Sequence, residues 1–419
     1  MIAKFITFTR LVVRRPARAA AALGCALAVL MQPHAAAADI VTNWNQITFS
    51  TGGPQIQRTL AMVHLAMFDA VNAVSHHYTP YRWTLGAAAG TSAEAAAAAA
   101  AHGILVRLFP AQQVALDAAL IASVAGIPNG AAKAAGLALG DQVAADLFAA
   151  RSTDNILAPN PVYVPLIGAG FYQLTPPNFA APVNVAAGTW VPFGLTDAGQ
   201  FRPNGSLSTT HPKYAEDFEE VRQLGAATGS IRTADQTLSA LWSIEQTIPA
   251  TNRFARQQSA VAGLGLLDNA RLFALLNMAL ADAVTSVFDA KYGFNSWRPV
   301  TAIREAASDG NPKTTAVPAW LPFLTTPPHP EYPAAHAVTA NGAVQVLESV
   351  FGQNYHFAAT SASVPGVVRE FDSFKAYAED CGLARIYGGI HFRTAVEEGA
   401  RQGRKVGNWI VENFLTASR

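Results

Sequence analysis

Helix-forming patterns run through most of this chain, and no window shows the sustained alternation of apolar and polar residues that predicts a strand. Apolar residues recur at helical spacing over residues 57–74, and residues 86–107 are almost all alanine, the strongest helix former. A long apolar helix is predicted from Asn269 to Ala290, with Asp268 or Asn269 as its N-cap. The sequence therefore predicts a mainly α fold that begins with an N-terminal helical bundle.

Eight prolines interrupt the helical pattern between Ile156 and Pro212, so this stretch has no room for a long helix and is interpreted as a loop-rich insertion. A hydrophobic content of 51% is enough to fill a sizeable core. The expected organisation is a signal peptide at 1–38 and a single helical domain at 39–419. Within that domain we expect an N-terminal bundle at about 55–152 and a C-terminal bundle at about 213–419.

The first residues have the order of a secretory signal peptide. Five basic residues precede an apolar stretch at 19–31 and the small-residue run at 35–38, where cleavage is expected. The apolar stretch is shorter than the roughly 20 residues that a bilayer span needs. We therefore expect a mature protein that begins close to Asp39 and is periplasmic or secreted, with an uncleaved anchor as the alternative and the export route left open. Cys25 leaves with the signal, so Cys381 has no partner for an intrachain disulfide.

Charge content argues against two classes of partner. Only 14% of the residues are charged and the formal net charge is +1. Nucleic acids and anionic membranes are recognised by clustered cations, so neither is an expected partner. No stable membrane span is expected after signal cleavage, whereas a homo-oligomer remains open.

Three short segments in the C-terminal third combine fixed cations with histidines: Lys291 and Arg298, then His336, then Arg385 and His391. Lys291 and Arg298 are seven residues apart, which places both on one face of a predicted helix. His336 is expected at a helix N-terminus, where free N–H groups favour an anion, and the glycine pair before His391 permits a turn. An oxyanion removed from water needs charge-assisted donors of this kind, while histidine supplies a nucleophile, a metal ligand or an acid/base. Each of these residues alone is more often a solvated charge or a structural polar group.

The order Lys-x6-Arg-Pro, Pro-x-x-His and Arg-x5-His resembles the signature of the vanadium-dependent haloperoxidase and type 2 phosphatidic acid phosphatase superfamily. Trp297 and the runs at 329–336 and 388–392 extend the resemblance, which is strongest to the soluble bacterial haloperoxidase-like branch. The resemblance implies a core of packed helical bundles and vanadate as the cofactor.

The same resemblance implies a role for each site residue. His391 would be the ligand of vanadium or the nucleophile toward phosphate, and His336 would be the acid/base partner. The oxygens of the vanadate or phosphate would be held by Lys291, Arg298, Ala335 and Arg385.

Three further residues are predicted near the site. Trp297 and His329 are interpreted as pocket-wall residues, because family members carry a histidine or an aromatic residue where His329 falls. Asp282 interrupts an apolar run, and a buried carboxylate needs a partner. It is therefore predicted to orient one of the site's cations, with a pairing to an unrelated arginine as the alternative. Four histidines of the N-terminal helices are expected to be structural: His64, His76, His77 and His102.

One departure from the family pattern affects the oxyanion. The family usually has Ser-Gly before its second-motif histidine, whereas this chain has Ala334-Ala335. A lost hydrogen bond to a charged oxygen costs roughly 1.5–3 kcal/mol, or about 10 to 150-fold in affinity. Alanine in place of the family's serine therefore predicts weaker oxyanion binding, while the histidine that would be the ligand of vanadium is still present.

The leading functional hypothesis is a haloperoxidase that oxidises halide with hydrogen peroxide at vanadate. The first alternative is a phosphatase that hydrolyses phosphate esters through a histidine nucleophile. The second is a degenerate protein that binds an oxyanion without turnover.

Overall fold

The computed structural model describes residues 39–418 and is mainly α-helical, as the sequence patterns predicted. The proposed signal peptide, with Cys25, lies outside the described residues. The described α-helices are α1 (Ile40–Thr51), α2 (Ile56–Ser75), α3 (Ala93–Leu108), α4 (Gln113–Ser123), α5 (Ala131–Ala150), α6 (Pro212–Leu224), α7 (Ala234–Trp242), α8 (Thr247–Ala262), α9 (Leu266–Phe294), α10 (Pro299–Arg304), α11 (Ala335–Phe351), α12 (Phe374–Tyr387) and α13 (Arg393–Asn413).

Helix α9 is the shared core of two helical layers. On one side it packs against α2, which in turn packs against α3 and α5; on the other it packs against α11 and α13. Its composition and length would suit a bilayer span, but its most apolar stretch is completely buried among the other helices. A helix that is apolar all round and enclosed in this way is the core helix of a large domain.

The N-terminal layer packs closely because its helices carry small residues. A Cβ at Gly140 of α5 would lie 2.3 Å from the carbonyl oxygen of Ala96 in α3. The alanine-rich face of α3 therefore meets the backbone of α5 directly, and the dispersion contacts between them are numerous.

The proline-rich stretch at 156–212 contains the short 3-10 helix Ala187–Thr189 and otherwise has no regular element until α6 begins at Pro212. This agrees with the predicted loop-rich insertion. Among the elements that the patterns did not predict are helix α1 and an antiparallel pair of strands, β1 (Phe357–Thr360) and β2 (Val368–Phe371). Strands of four residues are too short to show a period in the sequence.

The predicted boundaries of the long core helix were wrong at its start. Helix α9 has Gly265 as its N-cap, without a side-chain cap, where Asp268 or Asn269 was expected. At its other end, Asn295 adopts a left-handed conformation with φ 52° and its N–H bonds to the Lys291 carbonyl. The helix therefore stops three residues before Arg298, so Lys291 and Arg298 do not share a helix face.

Candidate active site

Lys291 and Arg298 reach the same buried region from two sides of the turn that ends α9. Lys291 is fully buried in the last turn of α9, and its Nζ donates to the carbonyls of Pro330 and Glu331 at 2.8 Å each. Arg298 is the N-cap residue of α10 and is also fully buried. Its Nε donates to the carbonyl oxygen of His329 at 2.7 Å. Lys291 and Arg298 thus come together through the turn at Asn295, and not on a common helix face as predicted.

His391 faces the Arg298 guanidinium across a short gap. An Nη of Arg298 lies 3.1 Å from His391 Nε2, and the same nitrogen donates to the Ile390 carbonyl at 2.8 Å. The other Nη lies 2.8 Å from His329 Nδ1. Arg298, His329 and His391 therefore form one contiguous cluster, although they are separated by as many as 93 residues in sequence.

Glu331 is the residue of this cluster that the sequence reasoning did not assign. Its Oε1 accepts from His391 Nδ1 at 2.8 Å and from the backbone N–H of Phe392 at 3.0 Å. A carboxylate at Nδ1 fixes the tautomer, so the lone pair of His391 is on Nε2, toward Arg298. The signal available in the sequence was a carboxylate in a loop of buried residues, which needs a partner.

A glycine turn brings Arg385 and His391 together, as predicted. Arg385 lies in the last turn of α12, and the chain reverses through Gly388 and Gly389, which has φ 76°. A Cβ at Gly389 would lie 2.3 Å from the Gly225 carbonyl oxygen, so the turn is pressed against the end of α6. Only glycine permits both the positive φ and this approach.

His336 lies in the first turn of α11, where a helix N-terminus was predicted. Its Nε2 has no hydrogen-bond partner among residues 39–418, and the same is true of Arg385 Nε. Both side chains line one cavity, together with His329, His391 and Ala335. Buried polar atoms without partners, on side chains that line a cavity, indicate a missing ligand.

Three helices begin at this site without a cap from the side chain of their own N-cap residue, although Asp217 accepts from the N–H of Thr394 at the start of α13. Gln246, Ala334 and Phe392 are the N-caps of α8, α11 and α13, and none of their side chains bonds to its own helix. The first N–H groups of a helix have no partner within it and the helix dipole is positive there. The backbone therefore adds to the attraction of the cluster for an anion.

Burial makes the cluster unfavourable for positive charge. Burial, followed by the charge of Arg298, holds the pKa of Lys291 well below its usual range. Burial also lowers the pKa of Arg298 and of Arg385 to about 10. The pKa of Glu331 is raised to about 7 by burial, against the opposing effect of Lys291. A bound anion would relieve the repulsion among these cations.

The pKa values of the histidines point the same way. Burial is the main reason that the pKa of each histidine lies well below its usual range. The next largest cause is the charge of Arg385 for His336, and the charge of Arg298 for His391 and His329. All three imidazoles are therefore neutral at ordinary pH, and His391 Nε2 offers its lone pair as a ligand or nucleophile.

Trp297 does not line this cavity. It is 3% exposed and packs in an apolar cluster with Tyr214 and Phe392, beside a separate cavity behind Glu331. The expectation of a pocket-wall role is wrong for Trp297, because the extended residues before Arg298 send neighbouring side chains to opposite sides. His329 lies in the cavity wall as predicted.

Asp282 also lies away from the site. Its carboxylate accepts from the N–H groups of Phe193, Gly194 and Leu195 at 2.6–2.8 Å, which ties the insertion to α9. The prediction that Asp282 orients a cation of the site is therefore wrong. The alternative, an ion pair with an unrelated arginine, is wrong as well. Three backbone donors are sufficient for a buried carboxylate.

The donor set suits a tetrahedral oxyanion better than a bare cation. Within residues 39–418, no group of three or more His, Cys, Asp or Glu side chains is placed to hold a metal ion. The cluster instead offers three cations, uncapped helix N-termini and a histidine nitrogen. Those are the groups that bind anionic oxygens and, in vanadate, the metal itself.

Comparison with known proteins agrees with this chemistry. Residues 271–417 match the family described as the VCPO second helical-bundle domain. The vanadium chloroperoxidase of Curvularia inaequalis is 27% identical over 174 residues, which are 30% of this chain and 28% of that protein. The chain thus matches less than a third of the length of this curated relative.

Two solved structures are similar over nearly the whole chain. The first bacterial vanadium-dependent iodoperoxidase gives a TM-score of 0.75 at 25% identity, covering 91% of this chain and 97% of that chain. A holo-type bacterial vanadium-dependent chloroperoxidase gives 0.65 at 17% identity, covering 91% and 93%, and shows the fold alone. The resemblance to the vanadium haloperoxidases, and the helical fold that it implied, are confirmed.

Proposed function

We propose that this chain, a protein with the vanadium haloperoxidase fold, is a vanadate-dependent haloperoxidase that oxidises halide with hydrogen peroxide. The observation that carries the proposal is the His391 Nε2 lone pair, fixed by Glu331 on one side and facing buried cations on the other. The similarity to an iodoperoxidase over 91% of the chain supports the choice of reaction.

The residues present fit vanadate. His391 Nε2 would be its nitrogen ligand, while Lys291, Arg298 and Arg385 would hold its oxygens with the N–H groups that begin α11 at Ala335. Ala334, the N-cap of α11, offers no hydroxyl to this set. Vanadate, when bound, supplies a Lewis-acidic centre at which hydrogen peroxide becomes an oxidant of halide.

The remaining residues manage protons and water. The overall reaction consumes hydrogen peroxide, halide and a proton, and yields hypohalous acid and water. His336 is neutral and its Nε2 is unpartnered in the cavity, so it is the group that can hold a proton for the leaving oxygen. The side chains of Val284, Val287 and Phe288 form an apolar wall that limits water near these groups.

A phosphatase is the second candidate. The pairing of His391 with Glu331 is also the arrangement of an oriented histidine nucleophile. In that reaction Nε2 would attack phosphorus, His336 would protonate the leaving oxygen, and the cations would hold the other oxygens.

One experiment separates the candidates. The purified protein is assayed for bromide and iodide oxidation with and without orthovanadate, and for hydrolysis of a phosphate ester. Vanadium content is measured after gel filtration. We expect vanadate-dependent halide oxidation, and loss of both activity and vanadium in His391→Ala, since no neighbouring side chain replaces the nitrogen. Ester hydrolysis without halide oxidation would establish the phosphatase, and neither activity would favour a degenerate binding protein.

We also propose that the mature protein begins close to Asp39 and is periplasmic or secreted. Asp39 is the N-cap of α1, and its carboxylate accepts from the N–H of Thr42 at 2.8 Å and from Asn269 Nδ2 at 2.6 Å. Cleavage before Asp39 would leave this cap intact. N-terminal sequencing of protein from the extracytoplasmic fraction tests this, and an intact N-terminus on membrane-bound protein would contradict it.

A further inference from the structure

A second cavity lies behind Glu331, and the oxyanion residues His336, Arg385 and His391 do not line it. Its walls come from α6, the start of α13, the insertion and the segment around Arg298, and its volume is about 40 Å³. A water needs roughly 10–15 Å³, so a small ion fits. We call it the rear cavity, and the side chains that matter for its chemistry are Tyr214, Asp217, Trp297, Glu331, Phe392 and Thr394.

Two buried carboxylates give the rear cavity a negative lining. Glu331 is 2% exposed and Asp217 is 3% exposed, and no lysine, arginine or histidine is among the described residues that line the cavity. The ion pair of Asp217 with Lys213, at 3.3 Å, comes from outside the cavity. Burial is the main cause that raises the pKa of Glu331 to about 7, and the charge of Asp217 acts in the same direction. A cation in the cavity would stabilise both carboxylates in their charged form.

Two hydroxyl groups independently indicate a ligand. Tyr214 and Thr394 line the rear cavity, and neither hydroxyl has a hydrogen-bond partner within residues 39–418. Tyr214 is 5% exposed, and the Trp297 indole lies nearby without completing a hydrogen bond to it. Thr394 gives its backbone N–H to Asp217, but its hydroxyl is unused. A hydroxyl oxygen can accept from an N–H group, so a ligand with several N–H donors would satisfy both.

The remaining wall is largely aromatic. Trp297, Tyr332 and Phe392 are all buried and line the rear cavity. Aromatic rings attract an ammonium group, most strongly where water is excluded. A hard metal cation instead needs oxygen ligands on all sides, which rings do not provide. The combination of carboxylates, hydroxyls and rings therefore favours an ammonium group over a metal ion.

We infer that the rear cavity binds an ammonium ion, or the ammonium head of a small primary amine. Its N–H groups donate to the carboxylates of Asp217 and Glu331 and to the hydroxyls of Tyr214 and Thr394, while the aromatic wall takes the rest of its surface. The inference goes beyond the proposed function and does not rest on it, because it needs no ligand in the cavity of the oxyanion residues.

Binding is measured on the purified protein by calorimetric titration with the chlorides of ammonium, ethylammonium, potassium and sodium. Tetramethylammonium chloride, whose cation has no N–H, keeps the ionic strength constant. We expect saturable binding of ammonium that is about 5-fold or more tighter than that of potassium or sodium. Ethylammonium distinguishes the two sources of the ligand: tighter binding than ammonium identifies an amine head group, and weaker binding identifies the free ion.

Diffraction locates the site. Thallium(I) is close to ammonium in size and is visible by anomalous scattering, so crystals of the protein are soaked in thallium(I) nitrate. We expect a peak in the rear cavity beside Asp217, and loss of that peak when ammonium is added to the soak.

Variants of the lining test the contacts one at a time. Asp217→Asn keeps an acceptor for the N–H of Thr394 but loses the charge, so ammonium binding should weaken by about 10-fold or more. Tyr214→Phe loses one neutral hydroxyl and should weaken binding by about 3-fold. Tyr172→Phe is the matched control, because Tyr172 is also buried with a hydroxyl that has no partner among the described residues, but it does not line the rear cavity. It should leave ammonium binding unchanged.

Other results would overturn the inference. Ammonium that does not saturate, or that binds no more tightly than potassium, would exclude an ammonium site. A thallium peak elsewhere with none beside Asp217, or equal losses of affinity in Tyr214→Phe and Tyr172→Phe, would also exclude it. The wild-type titration and diffraction decide the matter even if Asp217→Asn fails to fold. Halide oxidation enters none of these measurements, so a failure of the proposed function would be seen separately.

Discussion

Two buried polar regions in this protein differ in how far their hydrogen-bonding groups find partners. In the first, where α1, α2, α8 and α9 meet, the side-chain amides of Asn45, Asn252 and Asn277 bond to one another and to neighbouring carbonyls at 2.8–3.0 Å. We call these three residues the amide network. In the second, the candidate active site, cations and histidines lie close together, while His336 Nε2 and Arg385 Nε have no hydrogen-bond partner within residues 39–418.

The difference shows what each region contributes. Neutral amides carry both donors and acceptors, so a small group of them can satisfy itself and stabilise the core. Arginine and lysine carry donors only, so a cationic cluster must draw acceptors from the backbone or from a ligand. The amide network therefore stabilises the fold. The candidate active site instead keeps buried donors that can bind an anion, and burying its cations lowers the stability of the unliganded protein.

Helix α8 joins the two regions. Asn252 of the amide network donates to the carbonyl of Ile248, one turn earlier, and Ile248 lies in the wall of the cavity. The end of α8 that faces the cavity is thus anchored by the region that stabilises the core.

The largest expected contrast comes from two matched arginines, Arg385 in the active site and Arg256 at the amide network. Burial lowers the pKa of each to about 10, and an Nη of Arg256 donates to Asn45 Oδ1. Arg385→Met should weaken vanadate binding by about 100-fold, since a charged donor is lost, without lowering the free energy of unfolding of the unliganded protein. Arg256→Met should lower that free energy and leave vanadate binding unchanged. Vanadate titration and urea unfolding measure both quantities, and a shared response of the two variants would refute the distinction.

The second contrast concerns the amide network itself. Asn252→Leu removes its bonds to Asn45, Asn277 and the Ile248 carbonyl, and leaves buried amide groups without partners. The free energy of unfolding should fall by about 1–3 kcal/mol. Vanadate affinity should be retained, and a parallel loss of affinity would show that the two regions are coupled through α8.

Glu331→Gln tests whether the carboxylate paired with His391 contributes to vanadate binding. Glutamine can still accept from His391 Nδ1 but no longer carries a charge, so we expect vanadate retention to fall by about 10-fold or more. Asp217→Asn is the matched control. Asp217 is a buried carboxylate that accepts from the N–H of Thr394 at 2.9 Å and has no hydrogen bond to His391. Vanadium content after gel filtration measures the effect, and equal losses in both variants would argue against a positioning role for Glu331.

The smallest expected effect is a pH dependence at the amide network. His64 lies at 2.8 Å from Asn45 Nδ2, and burial, with a lesser effect of Arg256, lowers its pKa to about 3. Its pKa in the unfolded chain is about 6.5, so the unfolded state binds the proton first. Its stabilising contribution is complete above pH 6.5 and is lost as the pH falls toward 3, at up to about 1.4 kcal/mol per pH unit.

Removing this histidine should flatten that dependence. Urea unfolding of His64→Gln at pH 7, 6, 5 and 4 should show a shallower decline than the wild type. His76→Gln is the control, because His76 lies at the exposed end of α2. An unchanged slope in His64→Gln would mean that His64 is not neutral in the folded protein at these pH values.

Residue type and order pointed to cations and histidines that the structure brings together, but not to the turns and pairings that do so. Asp282 and Glu331 illustrate the limit. Both are carboxylates in apolar surroundings, and Asp282 was expected to serve the site, yet Glu331 bonds to His391 while Asp282 binds the insertion. The partner of a buried carboxylate comes from another part of the chain, 60 residues away for Glu331, and no local pattern encodes it.

The same limit applies to the end of α9. A strongly apolar pattern predicted the helix, but the left-handed residue that ends it, Asn295, is one of many polar residues that tolerate that conformation. Its carbonyl accepts from the N–H of Tyr172 at 2.8 Å. The stop is therefore fixed by contact with the insertion, which sequence periodicity does not report.

The contact between Gly225 and Gly389 has a consequence for how this protein can change over time. A side chain at either position would collide with the other backbone, 2.3 Å from the nearest atom. Even alanine would be too large at either position, so we expect no tolerated substitution there that shifts Arg385 and His391 only slightly. Under the proposed function, we expect variation that alters the choice of substrate at the cavity wall, which includes Ile248, Val287 and Phe288. A random-mutagenesis library should therefore recover active variants with new side chains along that wall and glycine at both contact positions.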